Sequence, residues 1–205
     1  LHPRLGHMVV KGAETGEGAL ACLLSALIME RDIFKDRKDT DLRQRLHYLT
    51  GETENASPQA DRGVVERVRQ SARQIGRELG IKKGPIDIER TGAILALAYP
   101  DRIGKRREGR DARFLLANGR GAYIKGVDAL SMEGYIVAAN LDGGGMESAV
   151  FLAAPIKEAE ILKLFADDIE YDEGVSWDQA LKAVTSRRRV RYWGLTLRDE
   201  QFKEI

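Results

Sequence analysis

Seven basic side chains (Arg102, Lys105, Arg106, Arg107, Arg110, Arg113 and Arg120) fall between Ala98 and Ile124 against only Asp101, Glu108 and Asp111. The whole chain of 205 residues carries a formal net charge of +1, so this surplus is local. A guanidinium grips phosphate oxygens through two parallel hydrogen bonds, which an ammonium cannot do. Tyr99, Phe114 and Tyr123 lie in the same stretch and supply rings on which bases stack. These residue types at this density point to a phosphate-facing surface. The competing reading is structural: Phe114 belongs to a core, and the arginines pair with Asp101, Glu108 and an acidic segment further along.

Other chemistries find little support. The run Asp142-Gly143-Gly144-Gly145-Met146 lacks the Lys-Ser/Thr that a phosphate-binding loop places after its glycines, and reads as an interstrand loop. Gly119-Arg120-Gly121 reads as a turn. His2 and His7 fall on different faces of a helix, with Cys22 remote and no third ligand, which argues against zinc. His47 sits alone in a charged helix, Asp167-Asp168 reads as a solvated loop, and no grouping has the spacing of an activated nucleophile. A single cysteine allows no internal disulfide and suits a reducing, cytoplasmic compartment. No apolar run reaches the roughly 20 residues that span a bilayer, so no membrane association is expected. The chain opens at Leu1 with no signal-peptide pattern, and the expectation is a piece of a longer protein.

Around the basic stretch the periodicity changes. Before it, helices are expected over residues 3–14, 19–31, 41–49, 58–79 and 88–98. Pro3 and Ser57-Pro58 serve as starts, Gly51 and Gly80 as stops, and Leu20, Leu23, Leu24, Leu27 and Ile28 form the centre of the core. Arg62, Arg67, Arg69, Arg73 and Arg77 along the fourth helix are either a solvated face or a surface that tracks nucleic acid. After Gly104 the pattern turns to strands. Arg113–Ala117 and Arg120–Ile124 flank Asn118-Gly119, which predicts a two-residue type I′ hairpin. Further strands are expected at 135–140, 149–154, 169–171, 175–177 and 189–197, with a short helix over 156–165. The fold expected is α+β: a helical bundle over residues 1–104, then a small, partly open barrel of the oligonucleotide-binding (OB) type over 105–205. Residues 157–178 are strongly acidic and 182–191 basic, so the acidic part is expected to point away from any phosphate backbone.

The runs HPRLGHM (2–8), AILALAYPDRIGKRR (93–107), RFLLANGRGA (113–122), LAAPI (152–156) and VSWD (175–178) resemble, in order along nearly the whole chain, the C-terminal accessory region of bacterial HrpB-type ATP-dependent helicases of the DEAH/RHA class. The resemblance implies a ratchet-like helical bundle and a small β-barrel packed beside two RecA-like motor domains, with single-stranded RNA or DNA passing between. ATP and magnesium would be held by those motors, so this chain is expected to bind no cofactor and to perform no catalysis by itself. The resemblance carries nucleic-acid contact to Asp101, Arg102, Arg106, Arg107 and Asn118-Gly119-Arg120, and Lys105 and Arg113 join them from the basic cluster. The alternatives are a protein-docking module or a scaffold whose arginines clamp the two halves together.

Overall fold

The computed structural model describes residues 1–35, 39–52, 60–109, 111–143, 147–178 and 182–203. Arg110, the Ser57-Pro58 helix start and Gly144-Gly145 lie outside the described residues. The first half holds five helices: α1 (Pro3–Glu14), α2 (Gly18–Met29), α3 (Leu42–Thr50), α4 (Arg62–Glu78) and α5 (Thr91–Ala98), the last entered through a 3₁₀ turn at Ile88–Arg90.

Their ends follow from side-chain capping. The His2 ring accepts from the Arg4 N–H and Pro3 occupies the first turn of α1. Asp41 caps α3, which Gly51 ends at φ 90°. Asp61 accepts from the Gly63 and Val64 N–H groups to start α4 at Arg62. The α2 sequence GALACLLSALIM is apolar on nearly every side and nine of its residues are buried, as befits a helix enclosed by the others.

The back half begins with a barrel of β1 (Ile103–Arg106), β2 (Arg113–Leu116), β3 (Gly121–Tyr123), β4 (Tyr135–Leu141) and β5 (Glu147–Pro155). Its order is β1-β2-β3-β5-β4, closed by the antiparallel pairing of β1 with β4, and only β3–β5 is parallel. The barrel is closed rather than partly open. Phe114, Leu116, Ala122, Ile136, Ala138 and Val150 fill its interior, and Leu130, from a 3₁₀ turn between β3 and β4, joins them. By strand alternation Ile103, Val137 and Ala139 face outward, where they join the core of the helices. A short α6 (Glu158–Leu164) leads to an antiparallel sheet of β6 (Ile169–Asp178), β7 (Ala183–Tyr192) and β8 (Leu195–Lys203).

Two turns differ from the sequence expectation. Residues 189–197 are two strands, because Tyr192 pairs with Leu195 across Trp193-Gly194. In the first hairpin Leu116 donates to the Arg120 carbonyl and accepts from the Gly119 N–H. Gly119 has φ 84°, and no residue but Lys182 and Trp193 among the described non-glycines has positive φ. This is a three-residue loop with glycine at the bulge, not a type I′ turn. The extra residue lets Ala117 donate to Ile103 O and Asn118 to Asp101 O.

The bundle meets the barrel through α5. A Cβ added at Gly92 would sit 1.8 Å from the Pro155 carbonyl oxygen, so only glycine permits this contact. Gly92→Ala is expected to lower the unfolding free energy by about 3 kcal/mol or more. Gly84→Ala, which has open space around it, should stay within about 0.5 kcal/mol. Urea denaturation of the two variants checks both.

Candidate nucleic-acid interface

Eight of the nine candidate residues divide between two places, and Arg120 stands apart from both. Asp101, Arg102, Lys105, Asn118 and Gly119 lie where bundle, barrel and the β6–β8 sheet meet. Asp101 takes a 2.7 Å ion pair from Arg4 of α1. Arg102 donates to the Ala139 carbonyl at 3.0 Å and lies over the Tyr99 ring, 4.7 Å from its centroid. Lys105 directs its ammonium to the carbonyls of Thr196 (2.6 Å) and Leu197 (2.9 Å) on β8. The tip of the β7–β8 hairpin rests on the first barrel hairpin: Gly194 donates to Ala117 O, and a Cβ at Gly194 would come within 2.8 Å of that oxygen. Asn118 and Gly119 border this contact and stay exposed.

Tyr135 and Tyr192 complete this junction. The Tyr135 hydroxyl lies 2.9 Å from a Glu158 carboxylate oxygen and 3.2 Å from Leu197 O, and that of Tyr192 reaches Pro100 O at 3.4 Å. Burial pushes both phenols well above their ordinary ionisation range; the Glu158 hydrogen bond adds to this at Tyr135, and the charges of Asp168 and Asp101 at Tyr192.

Arg106, Arg107 and Arg113 lie at the opposite end of β1, while Arg120 closes the first hairpin opposite Leu116. Arg106 pairs with Phe114 in the β1–β2 register, and the Arg107 N–H donates to Arg113 O. Arg113 in turn pairs with Tyr123 on β3. Phe114 and Ala122 point into the barrel, so alternation puts Arg107, Arg113 and Tyr123 in one row on its outer surface. Glu147, the first residue of β5, bonds both arginines, Arg107 at 3.2 Å and Arg113 more closely. Its side chain lies over Gly121, where a Cβ would come within 2.7 Å of Glu147 Cγ. Arg107 and Arg113 remain 44% and 50% exposed. Arg106 turns aside, toward Gly109 O and the Met132 sulfur, and its buried Nε has no partner among the described residues. Arg120 is exposed, 3.5 Å from Ser148 Oγ.

Such a row can hold an anion. Two guanidinium groups converge on one carboxylate, and ion pairs this exposed are worth roughly 0–1 kcal/mol, so a phosphate can take the carboxylate's place at small cost. Glu147 went unnoticed in the sequence because only the parallel β3–β5 pairing, with Gly121 opposite Glu147, carries it beside the arginines. Charge on the outer sheet is internally matched: Arg188 pairs with Glu173, and Arg187 and Arg189 with Asp199. The acidic and basic segments of the sequence thus face each other across strands. Among the described residues no cluster of three or more His, Cys, Asp or Glu suits a metal ion, and no helix is long and apolar enough to cross a membrane.

No protein-family model matches the chain. It is 30% identical over 132 residues to the ATP-dependent RNA helicase HrpB of Escherichia coli (strain K12), covering 63% of this chain and 16% of that protein. The crystal structure of the E. coli DExH-box NTPase HrpB superposes with a TM-score of 0.74 at 26% identity, over 99% of this chain and 23% of that one. A second crystal structure, of the Escherichia coli DEAH/RHA helicase HrpB, gives 0.73 at 26% identity, over 97% and 22%. The chain thus spans about a sixth of the curated relative it matches.

Two outcomes test the division of the basic residues. Lys105→Met leaves two β8 carbonyls without their donor and is expected to cost roughly 1–3 kcal/mol of stability. It should not change affinity for a single-stranded oligonucleotide, measured by anisotropy. Unfolded tyrosine ionises near pH 10, whereas Tyr135 and Tyr192 stay protonated there in the fold. Their contribution is complete below that pH and is lost as pH rises past it. Urea midpoints should therefore fall above about pH 10, and by less in Tyr192→Phe.

Proposed function

We propose, on the premise that this chain is the bundle-and-barrel region of an HrpB-type helicase, that its barrel presents Arg107, Arg113 and Tyr123 to single-stranded nucleic acid. The observation that carries this reading is the row itself: two convergent guanidiniums and an adjacent tyrosine on the outer surface of β1, β2 and β3. The strand order β1-β2-β3-β5-β4 with β3 parallel to β5 supports assigning the barrel to the OB class. In that class the face of the second and third strands and the loops after the first and fourth take oligonucleotides. Arg107 and Arg113 flank the first of those loops, and Glu147 follows the second.

On this reading a backbone phosphate displaces the Glu147 carboxylate and is held by both arginines, while Tyr123 stacks a neighbouring base. The released carboxylate disfavours a second phosphate at the same point. Bundle and barrel form one wall of a single-strand channel, and RecA-like motor domains elsewhere in the parent bind ATP and magnesium and move the strand against that wall. A wall joined rigidly through α5 passes motor displacement to the strand rather than absorbing it. The parent is then an ATP-dependent helicase acting in the cytoplasm, and this region couples hydrolysis to translocation without hydrolysing ATP itself.

Replacing Arg107 and Arg113 together by Ala tests this. In anisotropy titrations of a labelled single-stranded RNA, affinity should fall about tenfold or more at low salt. The slope of log K against log salt should become shallower by roughly 0.7 for each phosphate that the variant no longer neutralises. An unchanged slope would refute the assignment.

A further inference from the structure

Away from the barrel, α2, the end of α3, α4 and residues 81–86 enclose a groove of about 440 Å³. Cys22, Leu23, Leu49, Ala72, Ile81 and Ile86 line it with aliphatic and thiol surface, and among the described residues no aromatic ring or carboxylate does. It exists because α4 outruns its cover. The apolar stripe of that helix continues past Val68 to Ala72 and Ile75, but only Val64, Val65 and Val68 are buried. Gly76 deepens the cleft, since even an added Cβ there would stop 3.8 Å short of the Cys22 sulfur. Along its rim stand Arg69, Arg73, Arg77, Lys82 and Lys83. Arg69 bonds the Leu49 carbonyl and Arg73 pairs with Glu66. Arg77, Lys82 and Lys83 are exposed and make no ion pair with the described residues.

We propose that this groove docks an acidic amphipathic helix of a partner protein. The partner sets its aliphatic side chains on the floor and its carboxylates against Arg77, Lys82 and Lys83. Charge complementarity selects the occupant: Glu66 answers Arg73, but Arg77, Lys82 and Lys83 make no ion pair with the described residues and attract carboxylates or phosphates. The floor then chooses between these. Bases of single-stranded nucleic acid bind by stacking on rings, and here there are none, whereas aliphatic residues at helical spacing suit an aliphatic trough. The groove shares no residue with the Arg107–Arg113 row, so its assignment stands or falls separately from the nucleic-acid reading.

The test titrates the chain into labelled synthetic helical peptides of about sixteen residues made of Leu, Ala and Glu, with leucines at i, i+3, i+4 and i+7. An isomer of the same composition with its leucines scattered serves as control, and a single-stranded RNA as the rival ligand. The patterned peptide is expected to bind about tenfold or more tightly than the isomer. Lys82→Glu with Lys83→Glu, on an exposed loop, should weaken it by a similar factor, and so should Ala72→Trp, which fills the floor. If Ala72→Trp unfolds the chain, the comparison of the two peptides still decides. Equal affinity for both peptides, or no binding of either, would overturn the proposal. So would RNA affinity that drops with the charge reversal while the patterned peptide fails to bind, an outcome that gives the groove to nucleic acid.

Discussion

The contact between Gly92 and the Pro155 carbonyl sets the geometry on which the rest of the structure depends. It lets α5 lie directly on the barrel wall, closer than any residue with a Cβ allows. Seven of the eight residues of α5 are buried, because the helix is enclosed by α1 and α2 on one side and by β4 and β5 on the other. Helices and outward-facing barrel residues thereby share one hydrophobic core. The stretch that joins them, Tyr99 to Ile103, is not a linker but a corner fixed by Tyr99, Arg102 and the Asp101–Arg4 pair.

That corner explains why a basic cluster in sequence becomes two different structures. Residues near α5 are drawn into the junction, where Lys105 caps the carbonyls of β8, the Asn118 N–H donates to Asp101 O and Gly194 bonds Ala117. The run along β1 and back along β2 carries Arg107 and Arg113 beyond the covered region, to where Glu147 bonds both and Asp111 also pairs with Arg113. Clamp and contact surface are thus both present in one motif. The structural and functional readings of the basic stretch apply to different members of it.

Much of this was legible in the sequence. Helix ends marked by Pro3, Asp41 and Gly51 follow local rules, and the five helices lie close to where those rules put them. The barrel expected over residues 105–205 draws its strands from residues 103–155 alone, beginning with β1, which had no strand pattern of its own, and β6–β8 form a separate sheet. What was not legible depends on distant pairing. Asn-Gly suggested a two-residue turn, but the loop takes a third residue because Ala117 and Asn118 are held by Ile103 and Asp101. Arg189–Leu197 read as one strand since Trp193-Gly194 interrupts neither its hydrophobicity nor its alternation. Glu147 could not be assigned to the arginines without the parallel β3–β5 register, which no local pattern encodes.

The central claim, that the outer row of β1–β3 meets nucleic acid while the junction only holds the fold, is tested most directly by titrating isotope-labelled chain with a short single-stranded RNA and following backbone amide resonances. Shifts are expected to concentrate at Arg107, Arg113, Tyr123 and Glu147, with the amides of Lys105, Asn118 and Gly194 unmoved. Shifts centred on the exposed face of α4, or on the junction with the row silent, would contradict it.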